Sequence, residues 1–307
     1  MRDKKTLRIV YMGTPEFAVA ALEALVDGGY NVVGVVTMPD KPVGRHGSVL
    51  QASPVKQYAQ EKGLKVLQPE RLKDEAFLEE LRGLRADLQI VVAFRMLPEA
   101  VWSMPPLGTF NAHASLLPKY RGAAPINWAI IRGERETGMT TFILKHEIDT
   151  GDIIQQVRVP IFENDNAGTL HDRLMKLSAS LVTETVDCLL EGTLITHPQA
   201  DSEATDAPKI FRETCKIDWN RPTVEVHNFI RGLSPYPGAW TMLGDKVLKI
   251  FESAPHTGEH EAPGAFYSDG RSVLEFSTAD GVIRVKTLQM EGKKRMSTED
   301  FLRGTKL

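Results

Sequence analysis

Cysteine is nearly missing from this chain: Cys188 and Cys215 are the only two among 307 residues, and neither has neighbours at metal-ligand spacing. A disulfide framework and a structural zinc site are therefore not expected, and two reduced thiols point to a cytoplasmic protein. Neither sign of charge dominates, with 37 Lys and Arg against 40 Asp and Glu and a formal net charge of −3. Such a balance advertises no nucleic-acid partner for the chain as a whole. Long apolar runs are lacking as well: no segment approaches the ~20 residues of a membrane helix, and LRIVYMG behind Arg2, Lys4 and Lys5 is too short for a signal-peptide core. No P-loop occurs, and YMGTPEFA holds one glycine where a dinucleotide site needs G-x-G-x-x-G. We therefore expect no metal, no nucleotide cofactor and no membrane association.

What is present is ordered alternation. The first 150 residues place short apolar runs at 7–11, 31–37, 64–67, 88–94 and 108–112 between helical patterns at 15–27, 54–62, 73–84 and 123–132. That is the signature of βαβ units, so the fold class is α/β, with a Rossmann-like, mostly parallel sheet and its crevice at the carboxyl ends of the strands. Thr14 and Pro15 suit the N-cap and first position of the opening helix, and Phe17 one turn in reads equally as core or as a pocket wall. Two more strand-like runs, MTTFILKHEI and DIIQQVRVPI, flank the turn signal Asp149-Thr150-Gly151. A long helical pattern over 170–190 follows, with Gly192 as its stop.

Composition turns polar and Pro-containing over 196–208, where we place a linker. Beyond it a helical stretch, 224–231, leads into short strands separated by Gly-Asp, Asp-Gly and Pro-Gly signals: AWTML, KVLKIFES, GAFYS, SVLEFST and VIRVKTLQM. This spacing predicts a small β-barrel of the OB-like kind. The expected division is a catalytic domain, 1–205, and a C-terminal domain, 206–307.

The segment FNAHASLLPKYRG carries the chemistry. On a strand ending near Ala112, side chains alternate, so Asn111 and His113 share one face at the carboxyl end, where open α/β folds bind ligands. An Asn amide can donate to an oxyanion without exchanging its proton, and a His can give or take one near neutral pH. Together they describe a site for a tetrahedral intermediate at a carbonyl. Ser115 lacks an evident base, so direct acyl transfer fits better than a covalent intermediate. A carboxylate should orient the His; Asp149 is the candidate, with Glu147 and Asp152 as rivals, and an Asx-turn would also explain it.

At this point FNAHASLLPKYRGAAPINWAII, followed by EIDTGDII, resembles the signature of the folate-dependent formyltransferases. MGTPEFA, TMPDKPVGRHGSVLQASPVK, APKI before IDW, and GKKRMSTEDFL extend the resemblance over nearly the whole chain, towards the branch of that family that acts on tRNA. The resemblance implies transfer of the formyl group of 10-formyltetrahydrofolate to the α-amino group of methionine on initiator Met-tRNA, for translation initiation. It implies roles too. Asn111 would hydrogen-bond the oxyanion, His113 would stabilise it and move a proton, and Asp149 would orient His113. The folate would lie along Ser115, Leu116, Leu117 and Pro118. Its pterin would be held by the backbone of Arg95, Met96 and Leu97 and, on the other side, by backbone near His146 and Glu147. Phe17 would line the methionine pocket. In this branch the insertion over 39–56 wedges into the acceptor stem, with Arg45 as its arginine; the sequence departs from the family there, reading HGSVLQ where relatives often carry GKK. Stem contact would then lean on Arg45, His46, Lys41 and Lys56.

Charge is concentrated near the C-terminus: residues 284–306 hold seven Lys and Arg, among them Lys293, Lys294 and Arg295, against three acidic residues. A solvated face is the ordinary explanation, yet on an OB-like barrel such a patch could hold tRNA phosphates. We expect the chain to work as a monomer. The competing readings are an amino-sugar-nucleotide N-formyltransferase, a formyltetrahydrofolate hydrolase, and a non-catalytic binding module.

Overall fold

The computed structural model describes residues 3–43, 49–258 and 261–307. The chain divides into two compact units. One runs through Arg121 and adds Gly138–Val159 and Asp172–Asp206; the other combines Gly122–Thr137, Pro160–His171 and Ala207–Leu307.

In the first unit the elements come in the order β1 (Ile9–Met12), α1 (Glu16–Asp27), β2 (Val32–Val36), a hairpin of β3 (Lys41–Val43) and β4 (Val49–Gln51), α2 (Pro54–Glu61) and β5 (Val66–Leu67). Next are α3 (Glu75–Gly83), β6 (Leu88–Val92), α4 (Glu99–Trp102), β7 (Thr109–His113) and the short β8 (Arg121–Gly122). After α5 (Pro125–Ile131), which belongs to the second unit, β9 (Glu136–Ile143), β10 (Ile153–Pro160) and the long α6 (Ala167–Glu191) follow. Seven strands form one sheet in the order β10-β9-β7-β6-β1-β2-β5. The five from β5 to β7 are parallel, and β9 runs antiparallel to β7. Strands β1 and β6 are buried along their whole length, as parallel strands covered on both faces must be. From β1 the chain winds outward through β2 to β5, then crosses to β6 on the other side of β1. That reversal opens a crevice beyond the carboxyl ends of β1 and β6.

Strand bounds differ from the sequence expectation by one or two residues, and the helix entrance differs in kind. Pro15, not Thr14, is the N-cap of α1, and no side chain caps it; Thr14 Oγ1 instead accepts a bond from Met38 N at 3.4 Å. The stretch 196–208, read as a linker, is held along the first unit: His197 exchanges backbone bonds with Ile153 at 2.8 Å, and Thr205 accepts from Tyr120 N and Arg121 N. Composition registers polarity, not these partners.

The short β11 (Asp206–Ala207) spans the boundary, and the second unit continues with α7 (Thr223–Gly232), β12 (Ala239–Leu243), β13 (Lys246–His256), β14 (Phe266–Ser268), β15 (Leu274–Ser277), β16 (Val282–Met290), β17 (Met296–Ser297) and α8 (Thr298–Arg303). The sheet order is β12-β13-β16-β15-β14, antiparallel, with β17 on β16. Gly244-Asp245 makes a two-residue hairpin between β12 and β13, and Gly244 takes φ +62°, as such turns demand. Register slips in β13 between Ile250 and Ser253, a bulge that bends the strand and helps the sheet curl. The result is a curled antiparallel half-barrel, with β12 and β14 at its ends. Its core stacks Trp219 on Phe276, with ring centroids 4.7 Å apart, and takes Val226 and Ile230 from α7. Cys215 is part of this core.

Candidate active site

Strand β7 is inserted between β6 and β9, pairing Asn111 with Val91 and Phe142, and His113 with Thr140. The pairing sets both polar side chains on one face at the strand's carboxyl end. His113 is 7% exposed and Asp149 is 8% exposed, and His113 Nδ1 lies 3.7 Å from Asp149 Oδ2. The other ring nitrogen, Nε2, is 2.8 Å from Tyr120 O. A carbonyl can only accept, so in this arrangement Nε2 carries a proton. Phe142 meets the His113 ring edge-on with centroids 6.5 Å apart. Asn111 Oδ1 is buried without a hydrogen-bond partner. A polar atom left in that state costs stability, and such atoms gather where ligands bind. The rivals of Asp149 are less enclosed: Asp152 pairs with Lys145 at 2.7 Å, and Glu147 is exposed.

Asp149 reaches this position on a tight turn. Its own φ is +57°, which Asp tolerates better than most residues. Two positions on, a Cβ at Gly151 would sit 1.5 Å from Ile143 O, so only glycine fits.

Two loops frame the crevice. After β6, Arg95 turns its guanidinium inward to the carbonyls of Glu70, at 2.8 Å, and Pro69, while Met96 is exposed and Leu97 is buried. Burial pulls the Arg95 guanidinium below its ordinary range. Its side chain is thus a strut that leaves the backbone of 95–97 as the part able to meet a ligand. The loop after β9 joins it: Leu144 packs on the cluster that contains Leu97 and Val101, and His146 Nε2 pairs with Glu99 Oε2 at 2.9 Å beside Trp102. Ile148 in that loop is another exposed apolar side chain, which the sequence reading missed.

The segment 115–118 is braced from beneath. Ser115 is fully buried, its Oγ donating to Lys119 O at 2.7 Å, and Leu117 is buried beside half-buried Leu116 and Pro118. Thr140 Oγ1 donates to Ser115 O at 2.7 Å and accepts from Leu117 N at 3.2 Å and Gln156 Nε2 at 3.0 Å. Gln156 Nε2 also reaches Leu117 O at 2.7 Å. Neither Thr140 nor Gln156 stood out in the sequence, because a Thr in an apolar run reads as an ordinary strand residue. Thr140→Val keeps the shape and removes the hydroxyl, stranding buried groups; a loss of about 1–3 kcal/mol in denaturant unfolding is expected.

Phe17 is 6% exposed at the start of α1. Arg45 and His46 lie outside the described residues. Lys41 is exposed at the head of β3, whereas Lys56 is drawn to Asp40 at 2.7 Å with its side chain 15% exposed, so it is already paired. The bonds from Lys56 and Gln68 hold the Asp40 carboxyl below the usual range. In the second unit Lys293 lies over the Phe301 ring, Lys294 is exposed, and Arg295 stacks 3.4 Å over Phe251 while donating to Pro235 O at 3.0 Å.

A family model described as formyl transferase matches residues 7–186, and one described as formyl transferase, C-terminal domain, matches residues 209–306. The chain belongs to the formyl transferase family. Its members are transferases, and this chain is one. A relative from Parabacteroides distasonis, methionyl-tRNA formyltransferase, is 62% identical over 314 residues, covering 99% of this chain and 97% of the relative. Among solved structures, an N-formyltransferase from Helicobacter canadensis in complex with folinic acid and dTDP-3-aminofucose gives a TM-score of 0.69 at 23% identity, over 90% of this chain and 98% of that one. HypX from Aquifex aeolicus in complex with tetrahydrofolic acid gives 0.66 at 19% identity, over 96% of this chain and 46% of that one. At these identities the likeness to both structures is one of fold. Among the described residues no cluster of His, Cys, Asp and Glu could hold a metal, and no helix is long and apolar enough to cross a membrane.

Proposed function

We propose that this formyl transferase moves the formyl group of 10-formyltetrahydrofolate to the α-amino group of methionine carried by initiator tRNA. What carries the reading is the 62% identity to a methionyl-tRNA formyltransferase over 99% of the chain, C-terminal half included. A folate-derived donor agrees with the family and with the folate ligands of the structural relatives. It also agrees with the crevice: exposed apolar Met96 and Ile148 suit a flat heterocycle, and the unpartnered Asn111 Oδ1 offers an acceptor to a ligand N–H.

The chain's own groups divide the work. The backbone of 95–97 and of 146–147 holds the pterin, and the braced segment Ser115–Pro118 supports the rest of the donor. When the amine nitrogen bonds to the formyl carbon, the carbonyl electrons move onto oxygen, and the Asn111 amide donates to that oxyanion. As the bond from carbon to N10 breaks, the proton released by the attacking amine must end on N10. His113 is the carrier. The ring takes up the proton that the amine releases and gives one to N10, so it ends in the state in which it began, placed by the Nε2 contact with Tyr120 O at 2.8 Å and by Asp149 facing Nδ1. Phe17 lines the methionine pocket. Arg45 and Lys41 meet the acceptor stem, while Lys293, Lys294 and Arg295 offer charge to phosphates. The division at 205/206 assigns catalysis to the first part and tRNA binding to the second. The enzyme acts as a monomer in the cytoplasm, where free thiols at Cys188 and Cys215 are at home.

The test is formyl transfer from 10-formyltetrahydrofolate with initiator Met-tRNA, an amino-sugar nucleotide and water offered separately at several salt concentrations. Rapid formylation of the tRNA alone, slowing as salt rises, is expected. Preference for the sugar or for water would overturn the acceptor assignment.

A further inference from the structure

We infer that Gln199, braced by Arg121, is a positioning residue for the acid that holds His113. The inference rests on the reading of Asn111, His113 and Asp149 as the reacting set.

The Gln199 amide sits across the Asp149 turn. Its Nε2 donates to Asp149 O at 2.8 Å and to Gly151 O at 2.7 Å, so both of its protons go to the backbone on either side of Thr150. Its Oε1 accepts from Arg121 Nε at 3.1 Å and from Arg121 Nη2 at 2.8 Å. A carboxamide has two donors and two acceptor positions, and all four are used here. Arg121 is itself fixed, with Nη2 reaching Asp201 Oδ1 at 2.7 Å and a side chain 14% exposed.

The ends of this clamp explain its purpose. One end grips the turn whose left-handed residue is Asp149. The other grips the residue next to Tyr120, whose carbonyl takes the His113 Nε2 bond. The two supports of the imidazole, Asp149 at Nδ1 and Tyr120 O at Nε2, are thereby joined through Gln199 and Arg121. The join matters because the Nδ1 to Oδ2 separation of 3.7 Å is longer than a hydrogen bond, so the carboxylate acts on the ring through its place and charge, and the turn that sets its place sets that effect. A turn stabilised only for folding would not need its brace tied to the neighbour of the second support.

Gln199→Leu keeps the approximate bulk and removes every polar contact. It is expected to lower kcat roughly 10- to 100-fold, the scale at which displacement of a reacting group by about an ångström is felt, with KM for tRNA and for the folate donor within about twofold. Gln199→Glu, which can still accept from Arg121 but cannot donate to the two carbonyls, should fall with it. The deciding measurement repeats Gln199→Leu in an Asp149→Asn background. If Gln199 acts through Asp149, the second change costs almost nothing further, because effects of groups that work as a unit do not add. Arg121→Lys, which keeps one donor to Gln199, should recover part of the rate lost in Arg121→Ala. Full activity in Gln199→Leu and Gln199→Glu would overturn the inference, as would an undiminished loss in the Asp149→Asn background or a change confined to KM. Should Gln199→Leu not fold, Gln199→Glu is carried through the same cycle. Asp149→Asn alone tests the underlying reading: if it retains full kcat, the reacting set is wrong, whatever Gln199 does.

Discussion

Replacing His113 with Ala yields a folded enzyme that binds the folate donor and formylates at least about 100-fold more slowly, the usual scale for removal of a catalytic acid or base. The loss should fall on kcat. His113 is 7% exposed and both ring nitrogens face protein groups, so the ring contributes to the transfer from a fixed place rather than by gathering substrate. A stability cost accompanies it, because Tyr120 O loses its bond from His113 Nε2, and about 0.5–1.5 kcal/mol is expected for a hydrogen bond removed in this way. Unfolding curves at the assay temperature separate the two effects. Single-turnover formylation of a stoichiometric complex then reads the chemical step directly. A wild-type single-turnover rate would remove His113 from the chemistry.

How much of this could be read beforehand depended on whether the signal was local. Alternation along FNAHA put Asn111 and His113 on one face, and the sheet bears this out because β7 is pinned on both sides by β6 and β9. In the half-barrel, AWTML and VIRVKTLQM coincide with β12 and β16 residue for residue, since turn signals bracket each of them. Elsewhere the needed information was not in the neighbourhood. Thr14 looked like an N-cap but bonds Met38 across the sheet's edge. The last helix, α8, was hidden in a stretch read for its charge, although Ser297 caps it through Asp300 N at 3.1 Å, a pattern open to local reading.

The stretch expected to be a linker shows the same dependence on distant partners. Residues 196–208 have the composition of a connector, yet Gln199 and Thr205 bond residues 50 or more positions away, at Asp149 and Tyr120. A polar side chain reads the same whether it faces water or bridges two carbonyls. Lys56, expected near the acceptor stem, likewise has a partner within the fold, Asp40. In both cases the partner could not be read from the residue type.

Asn111→Ala is expected to slow the chemical step by about 10²- to 10³-fold, the scale found when one oxyanion donor is removed, while leaving the protein as stable as before or slightly more so. The two signs come from the two ends of one carboxamide: its NH2 donates to the oxyanion, and its oxygen is left over in the fold. Asn111 Oδ1 is buried with no hydrogen-bond partner, so the fold carries a polar group that it does not use. A buried acceptor in that state is unfavourable by about 1–3 kcal/mol, and truncation relieves it, offset by the packing that the shorter side chain gives up in the middle of β7. Stability and rate should therefore move apart, as they do where a site holds strain for its chemistry. His113→Ala loses both; Asn111→Ala should lose only the rate. Measuring melting temperature and single-turnover formylation on the two variants together separates the roles. If Asn111→Ala melted several degrees lower and kept its rate, the carboxamide would be holding the strand together, and the oxyanion would have to find its donor elsewhere.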